Sequence, residues 1–440
     1  MGRGTSSYRT KNYSLQVKGS ILFRAIGIGS TFISMPLTIH YLGEAKFGVW
    51  TTLLSILTWV IFFDFGVGHG LKNEVAESLA KNDFLGIKKS ISAAYSAIGI
   101  ITLTILFLFL TLSFFIPWQE IFNTTEIQED ALRNAVQITA TFILVNFWFG
   151  LVNSLLSAFQ KTSIITLNQT ISSVLSLIFV YILLQTTSGS LWKLAVAYGC
   201  ALSIPNIIST LSLYFRYPKL RPKFSIEIKH WKSLLSVGSQ FLIIQLAVMV
   251  IFLTDKILIT QIFGPEFVTQ YEVIFKVFSV ITLACSIIST PLWSAYTDAH
   301  FKADYSWIVK MLRRQLYAYT GVIFSTIFIC LIIRQIIQIW IGTDLEVSMN
   351  LVYSMAIFIL ISTWNNIFAT LVNGIGRIRL QLYTSIVAMV VNVPLALLFT
   401  KHYNFGVSGV VLATCMSLFF AAVMLPLQVR MIFREYSNAV

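Results

Sequence analysis

The sequence predicts an all-α integral membrane protein with about twelve transmembrane helices, and three observations predict it. Hydrophobic residues make up 56% of the 440-residue chain and charged residues only 11%, against roughly 25% charged in soluble globular chains. Mean hydropathy is +0.79, carried by apolar runs of the roughly 20 residues that a spanning helix needs. The net charge of +13 is gathered in short clusters between those runs. A nucleic-acid binder would show a basic stripe on a wettable face instead.

In chain order the runs lie near 19–42, 47–69, 90–116, 132–159, 163–185 and 191–215, then 233–262, 267–296, 311–341, 347–373, 380–400 and 405–433. Each must be helical, because lipid offers no partner for backbone N–H and C=O groups. The segment Met1 to Lys18 is polar and basic. It reads as a cytoplasmic tail ahead of a first span that directs insertion, not as a cleavable leader.

Lys and Arg set the orientation. With the N-terminus cytoplasmic, the inner segments hold 23 Lys and Arg and the outer loops hold 4: Lys46, Arg133, Lys193 and Lys401. The outer loops carry acids instead, among them Glu126, Glu129 and Asp130. Both termini are therefore expected in the cytoplasm.

Arg216 to Lys232 is the longest polar interval, interrupted by Pro218 and Pro222, residues that do not continue a helix. It divides the chain into a predicted N-terminal lobe (1–216, spans 1–6), a basic cytoplasmic linker (217–232) and a C-terminal lobe (233–440, spans 7–12). The lobes read as weak repeats. Gly19-Ser20 leads to Gly43-Glu44 as Gly238-Ser239 leads to Gly264-Pro265-Glu266, Phe215-Arg216 returns as Phe433-Arg434, and the basic turn at Lys161 returns at Arg377. The offset along the chain is nearly constant across these matches. Six spans per lobe start both lobes on the same side, a parallel repeat found in transporters.

Several functions are excluded by what is missing. There is no phosphate-cradling G-x-x-x-x-G-K-[ST] loop, no H-E-x-x-H, no nucleophile elbow and no zinc-ligand spacing. The four cysteines lie inside apolar runs and read as packing residues. The five histidines sit near helix ends, where interfacial snorkelling accounts for them. Pro117 to Arg133, the longest outer interval, is too short for the active-site loop of a polysaccharide polymerase.

Charges inside spans are costly and tend to face a cavity or a partner. Arg24, one turn into the first span, reads either as a contact for an anionic substrate or as a snorkelling residue. Asp255 and Lys256 are adjacent in the seventh span and point about 100° apart, so they do not simply pair with each other. Glu272 and Lys276, in the favoured i,i+4 order, form either a self-neutralising pair or an ion-coupling acid with an anion-binding cation. Asp64, near the inner end of the second span, reads as a cap or loop-lysine partner, or as an ion-coupling acid. Arg334 reads as an interfacial anchor or a ligand. Pro36, Pro205, Pro291, Pro394 and Pro426 fall within or near the ends of spans, where freed carbonyls favour kinks.

Two stretches resemble the Wzx-type O-antigen flippases. They are Gly19-Ser20-Ile21-Leu22-Phe23-Arg24 with Tyr41-Leu42-Gly43-Glu44-Ala45-Lys46-Phe47-Gly48-Val49-Trp50, and Asp64-Phe65-Gly66-Val67-Gly68-His69-Gly70-Leu71-Lys72-Asn73. The second is similar to a D-F-G-x-G-x-G-L-[KR]-N segment of that family. The likeness in motifs continues to about Asp83 and is not sharp beyond it. These flippases belong to the multidrug/oligosaccharidyl-lipid/polysaccharide exporter superfamily. The resemblance implies two six-helix lobes forming a V around a central cavity. It also implies transfer of an undecaprenyl-diphosphate-linked oligosaccharide from the inner to the outer leaflet of the bacterial cytoplasmic membrane.

On that resemblance, Arg24, Lys256, Lys276 and Arg334 are candidates for the diphosphate, and Asp255, Glu272 and Asp64 for ion coupling. No catalytic residue, metal site or cofactor is expected, beyond a Na⁺ or H⁺ gradient. Expected partners are the lipid-linked oligosaccharide, membrane lipid, a polysaccharide polymerase and a chain-length regulator, with no nucleic acid and a monomeric chain. The alternative is a multidrug or cation antiporter on the same fold, whose cavity would lean towards acidic and aromatic residues.

Overall fold

A computed structural model describes residues 3–59, 67–223, 249–250, 253–342 and 345–437, with side chains described from residue 22 onward except at 69, 80, 290, 294, 436 and 437. The chain divides into two compact units, Met1–Ile243 and Ile244–Val440. Among the described residues there is no strand.

Unit 1 contains α1 (Arg3–Leu42), α2 (Glu44–Thr58), α3 (Val67–Ala80), α4 (Phe84–Leu112), the short α5 (Trp118–Ile121), α6 (Glu129–Ala158), α7 (Thr162–Thr186) and α8 (Leu191–Arg216). Unit 2 contains α9 (253–263), α10 (Pro265–Phe301), α11 (Tyr305–Ile341), α12 (Met349–Gly374), α13 (Arg379–Leu397) and α14 (Val407–Ser437). Ten helices among the described residues are long and apolar enough to cross a membrane. The other two predicted spans, 47–69 and 233–262, run through residues outside the described ones, as does Asp64.

The surface is that of a protein solvated by lipid. Phe107 on α4 is 70% exposed and Leu331 on α11 is 73% exposed, on helices with scarcely a charge in their apolar windows. Each unit nevertheless has a close-packed interior. In unit 1 Leu71, Ile91, Val152 and Leu155 are wholly buried where α3, α4 and α6 meet. In unit 2 Tyr296, Leu371 and Val372 do the same for α10 and α12. Lipid tails are as apolar as these side chains, so packing and interhelical hydrogen bonds, not water exclusion, hold such helices together.

The repeat expected from the sequence is visible in backbone geometry. Gly43 stands before α2 with φ 78° and ψ 166°, and Gly264 before α10 with φ 114° and ψ 159°, conformations essentially restricted to glycine. Further on, Asn82 (φ 55°) and Ala303 (φ 54°) are both left-handed, and Asp83 and Asp304 then cap α4 and α11. On the preceding turn Lys81 pairs with Glu77 at 2.6 Å and Lys302 with Asp298 at 2.7 Å. All four correspondences share one and the same offset along the chain. By that offset α2 and α3 together hold in unit 1 the place that the single α10 holds in unit 2. The hydrogen bond and charge of Lys81 keep the exposed Glu77 carboxyl below its ordinary range.

The interval between α4 and α6 is ordered by hydrogen bonds. The Glu129 carboxylate accepts from Trp118 N at 2.7 Å and Gln119 N at 2.9 Å, and the Trp118 indole donates to Ser113 O at 3.0 Å. Of the interval read as a linker, residues 217–223 pack on unit 1: Leu220 joins its core, and Lys223 N donates to Ser92 Oγ at 3.0 Å. Pro36, Pro205, Pro291, Pro394 and Pro426 all lie inside helices.

Candidate functional site

The structure brings three of the sequence-predicted charges together where α9 meets α10. Asp255 and Lys256 are consecutive on α9, so their side chains diverge by about 100° and find different partners. Lys256 forms an ion pair with Glu272 on α10, the two side chains being 18% and 14% exposed. Glu272 thus has a cross-helix partner in addition to the i,i+4 neighbour Lys276, which is itself half-buried. The helical spacing could not show this, since it relates only residues of one helix.

Asp255 turns into the protein and is 3% exposed. The Tyr271 hydroxyl donates to its Oδ2 at 3.3 Å, and the Thr414 hydroxyl lies 3.1 and 3.3 Å from its two oxygens. Asn392, fully buried on α13, donates from Nδ2 to Thr414 Oγ1 at 3.0 Å, and its own Oδ1 has no partner among the described residues. One carboxylate therefore gathers α9, α10 and α14, with α13 behind them. The surrounding donors are neutral, and among the described residues no cation forms an ion pair with Asp255. An ionised carboxylate in such a place needs a counter-charge or a proton. That is the chemical property that makes the cluster a candidate for binding a small cation.

Sequence reasoning singled out Asp255 but missed Tyr271, Thr414 and Asn392. A signal was present for one of them: Asn392 is a carboxamide deep inside the apolar α13, and buried amides in spanning helices usually bridge to a neighbour.

The remaining candidates lie apart from this cluster. Arg24 is exposed on α1. The neighbouring Phe23 carbonyl accepts from Thr170 of α7 at 2.7 Å, so α7 packs against α1 at this turn. Arg334 is exposed on α11 and lines a cavity of about 610 Å³ with Gln270, Gln338, Glu346 and Ser348. Among the described residues no group of three or more His, Cys, Asp or Glu side chains is placed to hold a metal.

Comparison with known proteins gives this geometry a setting. Residues 17–295, well over half of the chain, match a family described as "Polysaccharide biosynthesis protein". A Salmonella typhimurium protein named as an O-antigen transporter is 24% identical over 370 residues, covering 82% of this chain and 83% of the relative. A Yersinia pseudotuberculosis protein named for O-antigen export is 21% identical over 360 residues, covering 81% and 82%. Among solved structures, a multidrug resistance MATE family transporter of the MOP superfamily, in its inward-facing conformation, aligns with TM-score 0.73 and 16% identity over 95% of this chain and 99% of the other. A MOP superfamily transporter from Pyrococcus furiosus aligns with TM-score 0.61 and 16% identity, covering 96% of each. At such identity these two share the fold with this chain.

Proposed function

From the finding that this chain belongs to the polysaccharide biosynthesis protein family, we propose that it is a flippase for a lipid-linked oligosaccharide. It is a multi-pass membrane transporter and not an enzyme. The cargo is an undecaprenyl-diphosphate-linked O-antigen-type repeat unit, and it moves from the inner to the outer leaflet of the bacterial cytoplasmic membrane. Both termini face the cytoplasm, the side that carries 23 of the Lys and Arg residues. The observation that carries this reading is the family match, which takes in nearly all of unit 1, joined to relatives named for O-antigen transport over more than four fifths of their length.

In this reading transport proceeds by alternating access, and the prenyl tail remains in lipid while the head crosses. Arg24, an exposed cation within a span, meets the diphosphate, for which a guanidinium is well suited. Arg334, exposed on α11, is a second candidate cation. Lys256 is committed to Glu272, so it acts by holding α9 to α10, and Asp255 exchanges H⁺ or Na⁺. A polymerase and a chain-length regulator receive the product. The antiporter reading has likeness of fold alone behind it.

Complementation of a flippase-null strain tests the proposal, with lipid-linked repeat units followed in each leaflet. Restored surface polysaccharide with unchanged drug susceptibility is the expected result. Repeat units still trapped in the inner leaflet, together with a changed susceptibility to cationic drugs, would overturn it.

A further inference from the structure

Unit 1 holds a cavity of about 360 Å³ between α2, α3, α6 and α8, within the range of roughly 300–1,000 Å³ typical of small-molecule sites. Its chemistry differs from that of the charged cluster in unit 2. Among the described residues no lining side chain is charged. Three carboxamides line it instead, linked as a ladder: Asn206 Nδ2 donates to Asn146 Oδ1 at 2.8 Å, and Asn153 Nδ2 donates to Asn206 Oδ1 at 3.2 Å. The ladder ends on Asn153 Oδ1, a buried acceptor with no partner among the described residues. Ser154 and Thr58 add hydroxyls, and Phe147 and Tyr198 add aromatic rings. The Tyr198 ring is set edge-on to Trp50 with centroids 5.4 Å apart.

A glycine keeps this space open. Gly150 lies inside α6 and lines the cavity, and a Cβ added to it would meet nothing within 4 Å. Glycine in a helix interior weakens the helix relative to alanine, and here no packed neighbour calls for it. The position leaves room that a larger side chain would fill.

We infer that the amide-lined cavity of unit 1 holds a neutral sugar ring of the cargo, so that the glycan is recognised there and the diphosphate elsewhere; this rests on the flippase reading. A sugar has hydroxyls that both donate and accept, along with apolar ring faces. Carboxamides and hydroxyls beside aromatic rings match it on both counts. The competing account is that the ladder only fastens α6 to α8, as amides in spanning helices commonly do. That account leaves Asn153 Oδ1 unpartnered and the space beside Gly150 unfilled.

The test uses the full-length protein in detergent and two probes: undecaprenyl diphosphate, and the same lipid carrying one 2-acetamido hexose. Wild type should bind the glycosylated probe about tenfold more tightly, the worth of one or two neutral hydrogen bonds. Gly150→Leu, which fills the cavity, should erase that preference and leave binding of the bare lipid unchanged. Gly150→Ala should keep it. Asn153→Ala removes the free acceptor and should lower the preference several-fold, which decides the matter if the leucine variant fails to fold. A preference that survives both Gly150→Leu and Asn153→Ala overturns the sugar site and leaves the flippase reading intact. Wild type that binds neither probe better than undecaprenol overturns both.

Discussion

Asp83 and Asp304 do the same work at equivalent places in the two units. Each stands one residue before a long helix, and each carboxylate accepts from the backbone N–H three residues on, Gly86 at 2.9 Å and Trp307 at 3.1 Å. The first N–H groups of a helix have no intrahelical partner, and each aspartate supplies one. Asp83→Ala and Asp304→Ala should each lower stability by about 1 kcal/mol, whereas Asp→Asn, an equally good cap, should change it little. The thermal midpoint in detergent checks this. Alanine variants that melt with wild type would show that the caps contribute nothing.

Gly43 and Gly264 form the second repeated pair, and their backbone angles make a separate prediction. A Cβ on Gly43 would meet no atom within 4 Å, so the penalty for Gly43→Ala comes from the backbone alone. With φ 78° and ψ 166° it should be about 1–3 kcal/mol. Gly150→Ala, in open space within an ordinary helix, should have the opposite sign, a gain of roughly 0.5–1 kcal/mol. Measuring the two side by side separates backbone strain from crowding, and a stabilising Gly43→Ala would contradict the first half.

Lys256 and Glu272 should behave as a coupled pair. Removing either leaves a partly buried charge without its cross-helix partner, so Lys256→Met and Glu272→Leu should each destabilise, and the double variant should recover part of the loss. A double-mutant cycle is expected to give a coupling of about 0.5–3 kcal/mol. Additive effects would mean that the contact carries no energy.

Asp255 is the residue on which ion coupling should turn. Asp255→Asn preserves size and can still hydrogen-bond Tyr271 and Thr414, so the protein should fold. It cannot take up and release a proton, so flipping of lipid-linked repeat units should fall at least about tenfold and lose its response to the imposed ion gradient. Thr414→Val removes one donor from the same carboxylate and should cost about 1–3 kcal/mol of stability. Wild-type flipping with an unaltered gradient response in Asp255→Asn would remove this residue from the coupling step.

Arg24 is exposed and, among the described residues, makes no ion pair. Arg24→Ala should therefore leave stability within about 0.5 kcal/mol of wild type while surface polysaccharide is lost. Arg24→Lys should restore part of it, because the charge remains and the planar fork does not. Full polysaccharide in Arg24→Ala would exclude it from diphosphate binding.

Much of the fold was legible in the sequence, and the pairings within the site were not. Gly43 with Gly264, and Lys161 with Arg377, already marked the repeat, because a turn's demand on the backbone is met by residues adjacent in the chain. The partners of Asp255 were illegible: Thr414 lies 159 residues further on, and no periodicity connects α9 to α14. Glu272 shows the limit within one helix. Its spacing to Lys276 named a good neighbour, and the approach of α9 supplied another in Lys256.

By itself the sequence determined that this chain lives in a membrane, where its basic segments cluster and that its two halves are related. Partition between lipid and water is set by runs of residues, and turn geometry by neighbours, so both are written locally. Only the tertiary structure decided which charges meet, that Asp255 is surrounded by neutral donors, and that three asparagines from α6 and α8 close on one cavity. Those facts depend on how helices pack against one another, and packing joins residues that no local pattern relates.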